Sequence, residues 1–304
     1  MSGVYYLGVD GGGTKTEFVC IDADGAVRAK AVTGTTYHLE VGVTEALLRI
    51  EQGIGAIVAQ LSIAPSDLAH VFLGLPAFGE DQVVDPQLNA GVGLILGHSR
   101  YRCDNDMVCG WAGSLACADG INVVAGTGSI AYGERAGRSE RSGGWGEIFG
   151  DEGSAYWIAQ RGLAAFSRMS DGRLRAGPLY EIFRNELALS TDLELCERVM
   201  GAQGMGRGEM AGLAGLVSRA ADAGDSAAHS ILHAAAGELV LLATCLRDRL
   251  GFCGTDYVPV SWSGGVLANQ PIVREAFAVG LESAGLTPVA PRHAPGYGAA
   301  LYAR

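Results

Sequence analysis

Two short glycine-rich stretches carry the residues best suited to chemistry. The first, "GVDGGGTKT" at 8–16, places Asp10, Gly11, Gly12, Gly13, Thr14 and Lys15 between two apolar runs. Glycines let backbone amides approach phosphate oxygens closely and permit unusual φ, and Thr and Lys add donors. Asp10 repels phosphate by itself, so it fits a site where Mg2+, held partly through water, sits between carboxylate and phosphates. A P-loop requires G-x-x-x-x-G-K-[ST] followed by a helix. Gly8 and Gly13 have that spacing, but Thr14 intervenes before Lys15 and a strand pattern follows. The reading is therefore a β-hairpin nest. A ligand-free hairpin turn needs fewer glycines than these.

The second stretch, "GTGSIA" at 126–131, matches G-x-G-x-x-A. The dinucleotide fingerprint needs a helix directly after it, whereas "YGERAGRSERSGGWG" is polar and glycine-rich. Gly126, Thr127, Gly128 and Ser129 read instead as a second phosphate hairpin. A third stretch, "SWSGGVLANQ" at 261–270, is a strand, a glycine pair and a helix. Gly264 and Gly265 form either an ordinary β–α turn or a surface on which adenosine lies. "DND" at 104–106 ends a strand and offers a carboxylate that could accept a hydroxyl proton. Asp104 and Asp106 compete for that role, and Asp106 could equally cap the helix that follows.

The elements that must position these residues follow from periodicity. Strands at 4–9 and 15–22 flank the first glycine turn, and a third strand follows a turn at Asp24-Gly25. Helices are expected at 43–61 and 85–97, strands at 70–76 and 100–106, and an apolar helix at 107–118. The pattern then restarts with strands around the 126–129 turn. Helices follow at 151–168, 178–200, 207–223 and 226–250, then a strand at 257–265, a helix at 266–284, a short strand and a last helix at 295–303. Strand–turn–strand with a phosphate-like loop thus occurs twice. Two α/β lobes with a cleft between them are the expected architecture.

Composition fits this picture. The chain has 304 residues, 48% hydrophobic and 18% charged, with 46 glycines clustered in loops. That is long enough for two domains and well suited to burial. A net charge of −11 disfavours nucleic acid and anionic membranes, while leaving room for a small anionic ligand held locally. The N-terminus lacks a basic, cleavable leader pattern, and no uncharged apolar run reaches membrane-spanning length. The seven scattered cysteines include no C-x-x-C, so free thiols in a cytoplasmic protein are expected.

Together the two hairpins, the Gly-Gly pair and the junction Asp resemble the superfamily of sugar kinases, heat-shock chaperones and actin. "GGWGEIFGDEGSAYWIA" at 143–159, "DND" and "AGDSAA" at 223–228 narrow this further. The chain is similar to the N-acetylglucosamine kinase group within the family of CoA-reductase-activator ATPases. The resemblance covers essentially the whole chain, and "GGWG…GDEGSAYW" is its specific part.

It implies an α/β fold of two ribonuclease-H-like lobes around a nucleotide and sugar cleft, as in actin-like ATPases. The first lobe would be 1–115, joined by a C-terminal helix at 291–304, and the second 116–290. It implies transfer of the MgATP γ-phosphate to the 6-hydroxyl of N-acetylglucosamine or glucosamine. Asp106 would be the base by motif register, Asp10 would hold the metal, and Thr14 and Thr127 would touch phosphates. Ala211 and Gly212, with Gly264 and Gly265, would line the nucleoside, while Trp145, Gly146 and Asp151 would contact the sugar. Asp151 could instead cap the next helix. The sugar-facing segments 35–42 and 73–81 contribute Tyr37, His38, Phe78 and Gly79. His38 and Trp157 suit packing as well. Where this group usually has Asn, Tyr37 stands, and where it has Ser-Gly, Phe78-Gly79 stands. Such changes shift substrate preference within the amino sugars or hexoses. A homodimer is usual in the group.

Two alternatives carry different chemistry. An activator ATPase of a CoA-ester dehydratase would hold an iron–sulfur cluster with paired cysteines, for which Cys103, Cys109 and Cys117 are the candidates. A sugar or nucleotide sensor would bind without phosphoryl transfer.

Overall fold

The structure is a computed structural model and describes residues 3–254 and 256–304. It divides into two compact units, one of residues 1–119 with 290–304, the other of residues 120–289.

The first unit contains β1 (Tyr5–Gly11), β2 (Lys15–Asp22), β3 (Val27–Gly34), α1 (His38–Val41), α2 (Val43–Leu61), β4 (Leu68–Leu75), α3 (Val84–Leu96), β5 (Tyr101–Asn105) and α4 (Met107–Leu115). Its sheet runs β3-β2-β1-β4-β5, antiparallel through β3, β2 and β1, then parallel from β1 to β5. Apolar residues at Ala46, Ile50, Ile54 and Ile57 recur on one face of α2 and bury it against this sheet. Gly53 makes the approach possible, because a Cβ there would lie 2.1 Å from the Phe18 ring.

The second unit contains β6 (Gly120–Ala125), β7 (Ser129–Arg135), β8 (Arg138–Gly143), α5 (Ala155–Ser170), α6 (Pro178–Glu186), α7 (Glu194–Met200), α8 (Arg207–Gly212), α9 (Ala214–Asp222), α10 (Ser226–Arg249), β9 (Pro259–Ser263), α11 (Gly265–Asn269), α12 (Pro271–Ser283) and β10 (Thr287–Pro288). Its sheet, read β8-β7-β6-β9-β10, repeats the first in order and strand sense. The duplication foreseen from the two glycine turns is therefore one of topology.

Three expected helices are divided. The 266–284 helix breaks at Gln270 because Pro271 forbids a helical conformation before it and donates no N–H. The 178–200 helix is interrupted between α6 and α7, where Ala188 turns left-handed at φ 49°. The 207–223 helix steps at Leu213. Helix α10 is long and apolar enough to cross a membrane by length and composition. It carries Glu238 in mid-helix, and Leu232, Ala235, Leu239, Ala243 and Leu246 bury one stripe in the core of this unit.

Helix α13 (Pro295–Ala303) packs on β1 and α4 of the first unit. Glycine permits both contacts. A Cβ at Gly8 would lie 2.0 Å from Ala300 N, and one at Gly298 would lie 2.0 Å from Gly113 N. All seven cysteines are free thiols.

Candidate functional site

In the first unit the candidate residues gather at the carboxyl ends of the parallel strands, where α/β sheets place ligands. Asp10 lies one residue before the end of β1, and its cross-strand neighbours are Gly74 on β4 and, beyond it, Asp104 on β5. Asp106 follows β5 directly. Burial first, then the Asp106 and Glu17 carboxylates, push the Asp10 carboxyl up to about 8, while Cys109 and Lys15 oppose this. Burial and then Glu80 push Asp106 up to about 7. Asp106 makes no capping bond to α4; Asn105 Oδ1 accepts the Met107 N–H instead, at 3.2 Å. Asp106 still stands at the N-cap position of α4, and the Met107 and Asp106 amides partly offset the rise of its carboxyl. Asp104 is turned to Arg102 in an ion pair of 2.5 Å.

Gly74, which sequence reasoning did not single out, makes this arrangement possible. A Cβ there would lie 2.3 Å from Cys109 Sγ and 3.1 Å from Asp106 Cα. Cys109 is buried, and its thiol donates to the Val9 carbonyl at 3.6 Å. A glycine inside the buried strand "HVFLGLP" was the available signal, since such glycines mark close approach.

The first hairpin corrects one expectation. None of Gly11, Gly12 and Gly13 takes a positive φ. Gly11 is required for packing, because a Cβ would lie 2.7 Å from both Pro76 Cδ and Thr36 Oγ1. Gly12 donates its N–H to the Lys15 carbonyl at 2.9 Å, closing the turn. Only Gly13 faces open space, beside exposed Thr14 and Lys15. Thr35 Oγ1 donates to the Gly12 carbonyl at 2.7 Å and accepts the Tyr37 N–H at 3.0 Å, tying the 35–38 segment to the hairpin. Tyr37 is half-buried and precedes α1. His38 is buried, and neither ring nitrogen has a hydrogen-bond partner. Phe78 accepts from Asn105 Nδ2 at 3.2 Å, which links its loop to the residue beside Asp106. Gly79 takes φ 93° and donates its N–H to Asp85 Oδ2 at 2.9 Å.

In the second unit the Gly126–Ser129 turn is fixed from behind. The Ala155 and Tyr156 amides donate to the carbonyls of Gly126 and Thr127 at 2.9 and 3.3 Å, and Ser129 Oγ donates to the Glu152 carbonyl at 2.7 Å. These bonds use amides at the start of α5. Asp151 does not cap α5; Ser154 does, accepting the Trp157 N–H. Asp151 is buried at φ 55°, with its Oδ2 2.7 Å from Arg207 Nη2. Arg207 had no sequence signal. Trp145 is exposed and Gly146 takes φ 86°.

Beside the hairpin lies a cavity of about 440 Å³. It brings together Gly126, Thr127, Ala211, Gly212 and Gly265 from the sequence reading, and adds Gly208, Asn269 and Gln270. Gly264 does not line the cavity; it takes φ 92°, and a Cβ there would lie 2.4 Å from the Ala125 carbonyl oxygen. Trp145 and Gly146 do not line this cavity.

The sequence pattern of the BadF/BadG/BcrA/BcrD ATPase family matches residues 7–303. An N-acetyl-D-glucosamine kinase of Dictyostelium discoideum is 29% identical over 287 residues, covering 90% of this chain and 89% of that protein. An N-acetylmuramic acid/N-acetylglucosamine kinase of Clostridium acetobutylicum is 30% identical over 280 residues, with 90% and 89% covered. A solved structure from Chromobacterium violaceum, described as a candidate N-acetylglucosamine kinase, superposes with a TM-score of 0.75 at 26% identity, covering 100% of both chains.

Proposed function

The chain belongs to the BadF/BadG/BcrA/BcrD ATPase family and is an ATP-dependent sugar kinase, and from that premise we propose that its acceptor is an amino sugar phosphorylated on the 6-hydroxyl. N-acetylglucosamine and glucosamine are the first candidates. The observation that carries the reading is Asp106, a carboxyl at the end of β5 held near 7 by burial and Glu80. A base poised near working pH takes a hydroxyl proton most effectively. In the proposed step the sugar oxygen forms a bond to the ATP γ-phosphorus as the bond to the β-phosphate oxygen breaks. The hydroxyl proton passes to Asp106.

The other residues bind and orient. Thr14, Lys15 and the open amide of Gly13 serve phosphates, and so do Thr127 and Gly128. The cavity lined by Ala211, Gly212 and Gly265 takes the nucleoside. Tyr37, His38, Phe78 and Gly79, with Trp145, Gly146 and Asp151, serve the sugar. The unpartnered nitrogens of buried His38 suit a polar acceptor, because an unsatisfied buried group gains from a ligand hydrogen bond. Asp10 fits a divalent cation. Burial beside a second carboxylate disfavours its charged form, and a bound divalent cation would offset that. Mg2+ would supply charge neutralisation for the transferred phosphoryl group. Among the described residues no cluster of three His, Cys, Asp or Glu side chains forms, so phosphate and water would complete such a shell. Homodimerisation and a cytoplasmic setting belong to the same proposal.

The activator reading gains nothing from the fold: Cys109 is buried behind Gly74, and Cys103 is partly buried on β5. The test is ADP release with glucosamine, N-acetylglucosamine, N-acetylmannosamine, N-acetylmuramic acid and glucose, on wild type and Asp106→Asn. Turnover with an amino sugar is expected, with Asp106→Asn lowering kcat by about 10²–10⁴ while nucleotide still binds. ADP release with no amino sugar would refute the acceptor class, and near-wild-type turnover by Asp106→Asn would refute the base.

A further inference from the structure

Arg207 occupies a position that neither the phosphate hairpin nor the nucleoside cavity explains alone. It is the first residue of α8, whose Gly208, Ala211 and Gly212 form a wall of the cavity. Its side chain leaves that wall and grips the 145–151 loop twice. Nε meets Glu147 Oε2 at 3.0 Å, and Nη2 meets Asp151 Oδ2 at 2.7 Å. The second contact lies across Gly128 of the hairpin, where a Cβ would stand 2.5 Å from Asp151 Oδ2 and 2.7 Å from Arg207 Nη2. Gly128 therefore keeps open the place where this ion pair crosses the phosphate turn.

The loop itself needs such a hold. Gly143, Gly144 and Gly146 all take positive φ, Asp151 is left-handed without being glycine, and Trp145, Ile148 and Phe149 are exposed. A segment so rich in special backbone and so poor in apolar burial lies at the low end of local stability. Two charge-assisted contacts to one planar guanidinium fix its orientation.

We propose that Arg207 is a positioning residue that couples the cavity to the 145–151 loop, so that nucleotide in the cavity orders the loop bearing Trp145 and Asp151. Nucleotide and acceptor then bind synergistically. Filling the cavity restrains α8, which holds the guanidinium, which holds the loop. The inference rests on the nucleotide reading of the cavity and extends the proposed function to regulation within the site.

Hydrogen–deuterium exchange of 143–151 with and without a non-hydrolysable ATP analogue tests it. Coupling of typical strength corresponds to 5–150-fold. Wild type is expected to show exchange over this segment slowed at least fivefold by the analogue. Arg207→Ala is expected to bind the analogue within about threefold of wild type and to lose the slowing. Glu147→Gln removes the partly exposed Glu147 charge but leaves buried Asp151 paired with Arg207, so it guards against misfolding of the first variant; it is expected to weaken the slowing at least threefold. With amino sugar, both variants should raise the acceptor KM measured at saturating ATP and, by reciprocity, weaken binding of the analogue at saturating sugar, while binding of the analogue without sugar stays within about threefold of wild type. A loop that ignores bound analogue in wild type, or responds equally in both variants, overturns the coupling. No binding of the analogue to wild type overturns both the coupling and the nucleotide reading. Bound analogue and an ordered loop without sugar turnover sinks the kinase assignment alone.

Discussion

Replacing Gly74 by Ala tests whether the spacing behind the two carboxyls governs both folding and turnover. The new methyl carbon would stand 2.3 Å from Cys109 Sγ, more than an ångström inside contact distance, and 3.1 Å from Asp106 Cα. Gly74 sits in the interior strand β4, paired with β1 and β5, so the strand resists yielding. The thiol and the start of α4 must yield instead. Overpacking of this kind costs about 1–3 kcal/mol, and thermal melting is expected to fall by about 3–10 °C. Displacing Asp106 by about 1 Å is expected to lower kcat by about 100-fold, with ATP affinity largely kept. Removing the sulfur should relieve the clash, so Gly74→Ala/Cys109→Ala should recover stability and part of the rate. Melting and steady-state rates of the two single variants and the double variant give the coupling, expected at about 1–3 kcal/mol. A Gly74→Ala protein with wild-type melting and rate, or a double variant no better than Gly74→Ala, would refute the reasoning.

Two further outcomes follow from other parts of the molecule. Folding raises Asp10 to about 8 and Asp106 to about 7 from the ordinary 3.8, so the folded state holds protons that the unfolded chain releases. Stability with a chelator present should therefore be greatest below pH 4 as regards these groups and fall as pH rises towards 7–8, by up to about 1.4 kcal/mol per pH unit per group. Asp10→Asn should flatten this slope and melt higher than wild type at pH 8; a lower melting temperature would contradict it. Gly298→Ala would put a Cβ 2.0 Å from Gly113 N and should cost about 3 kcal/mol by separating α13 from α4. Differential scanning calorimetry reads this, and an unchanged transition would show that the two helices can part freely.

The sequence by itself determined the strands, most helices and their repetition, though not the breaks within three of the helices. Alternating apolar residues around Gly11–Gly13 and Gly126–Gly128 can only be hairpins, and the 3.6-residue spacing of Ala46, Ile50, Ile54 and Ile57 can only be a helix on a sheet. The same local logic placed Asp10, and Asp104 with Asp106, at strand ends where the apolar runs stop; the choice of Asp106 over Asp104 came from the resemblance. The family resemblance, not local pattern, pointed to Ala211 and Gly212, which meet Gly265 in one cavity. What it did not reveal are contacts between residues far apart in the chain. Arg207 reads as one more surface arginine until folding sets it 2.7 Å from Asp151, 56 residues earlier. Gly11 reads as part of a phosphate nest, yet its missing side chain makes room for Pro76 and Thr36. The raised carboxyls of Asp10 and Asp106 need burial and carboxylates from other segments, Asp106 and Glu17 beside Asp10 and Glu80 beside Asp106, which no single segment encodes. Local sequence fixes backbone conformation through near-neighbour sterics and periodicity. The electrostatics and clearances of the site depend on which distant atoms come within a few ångströms, and only the tertiary structure decided that.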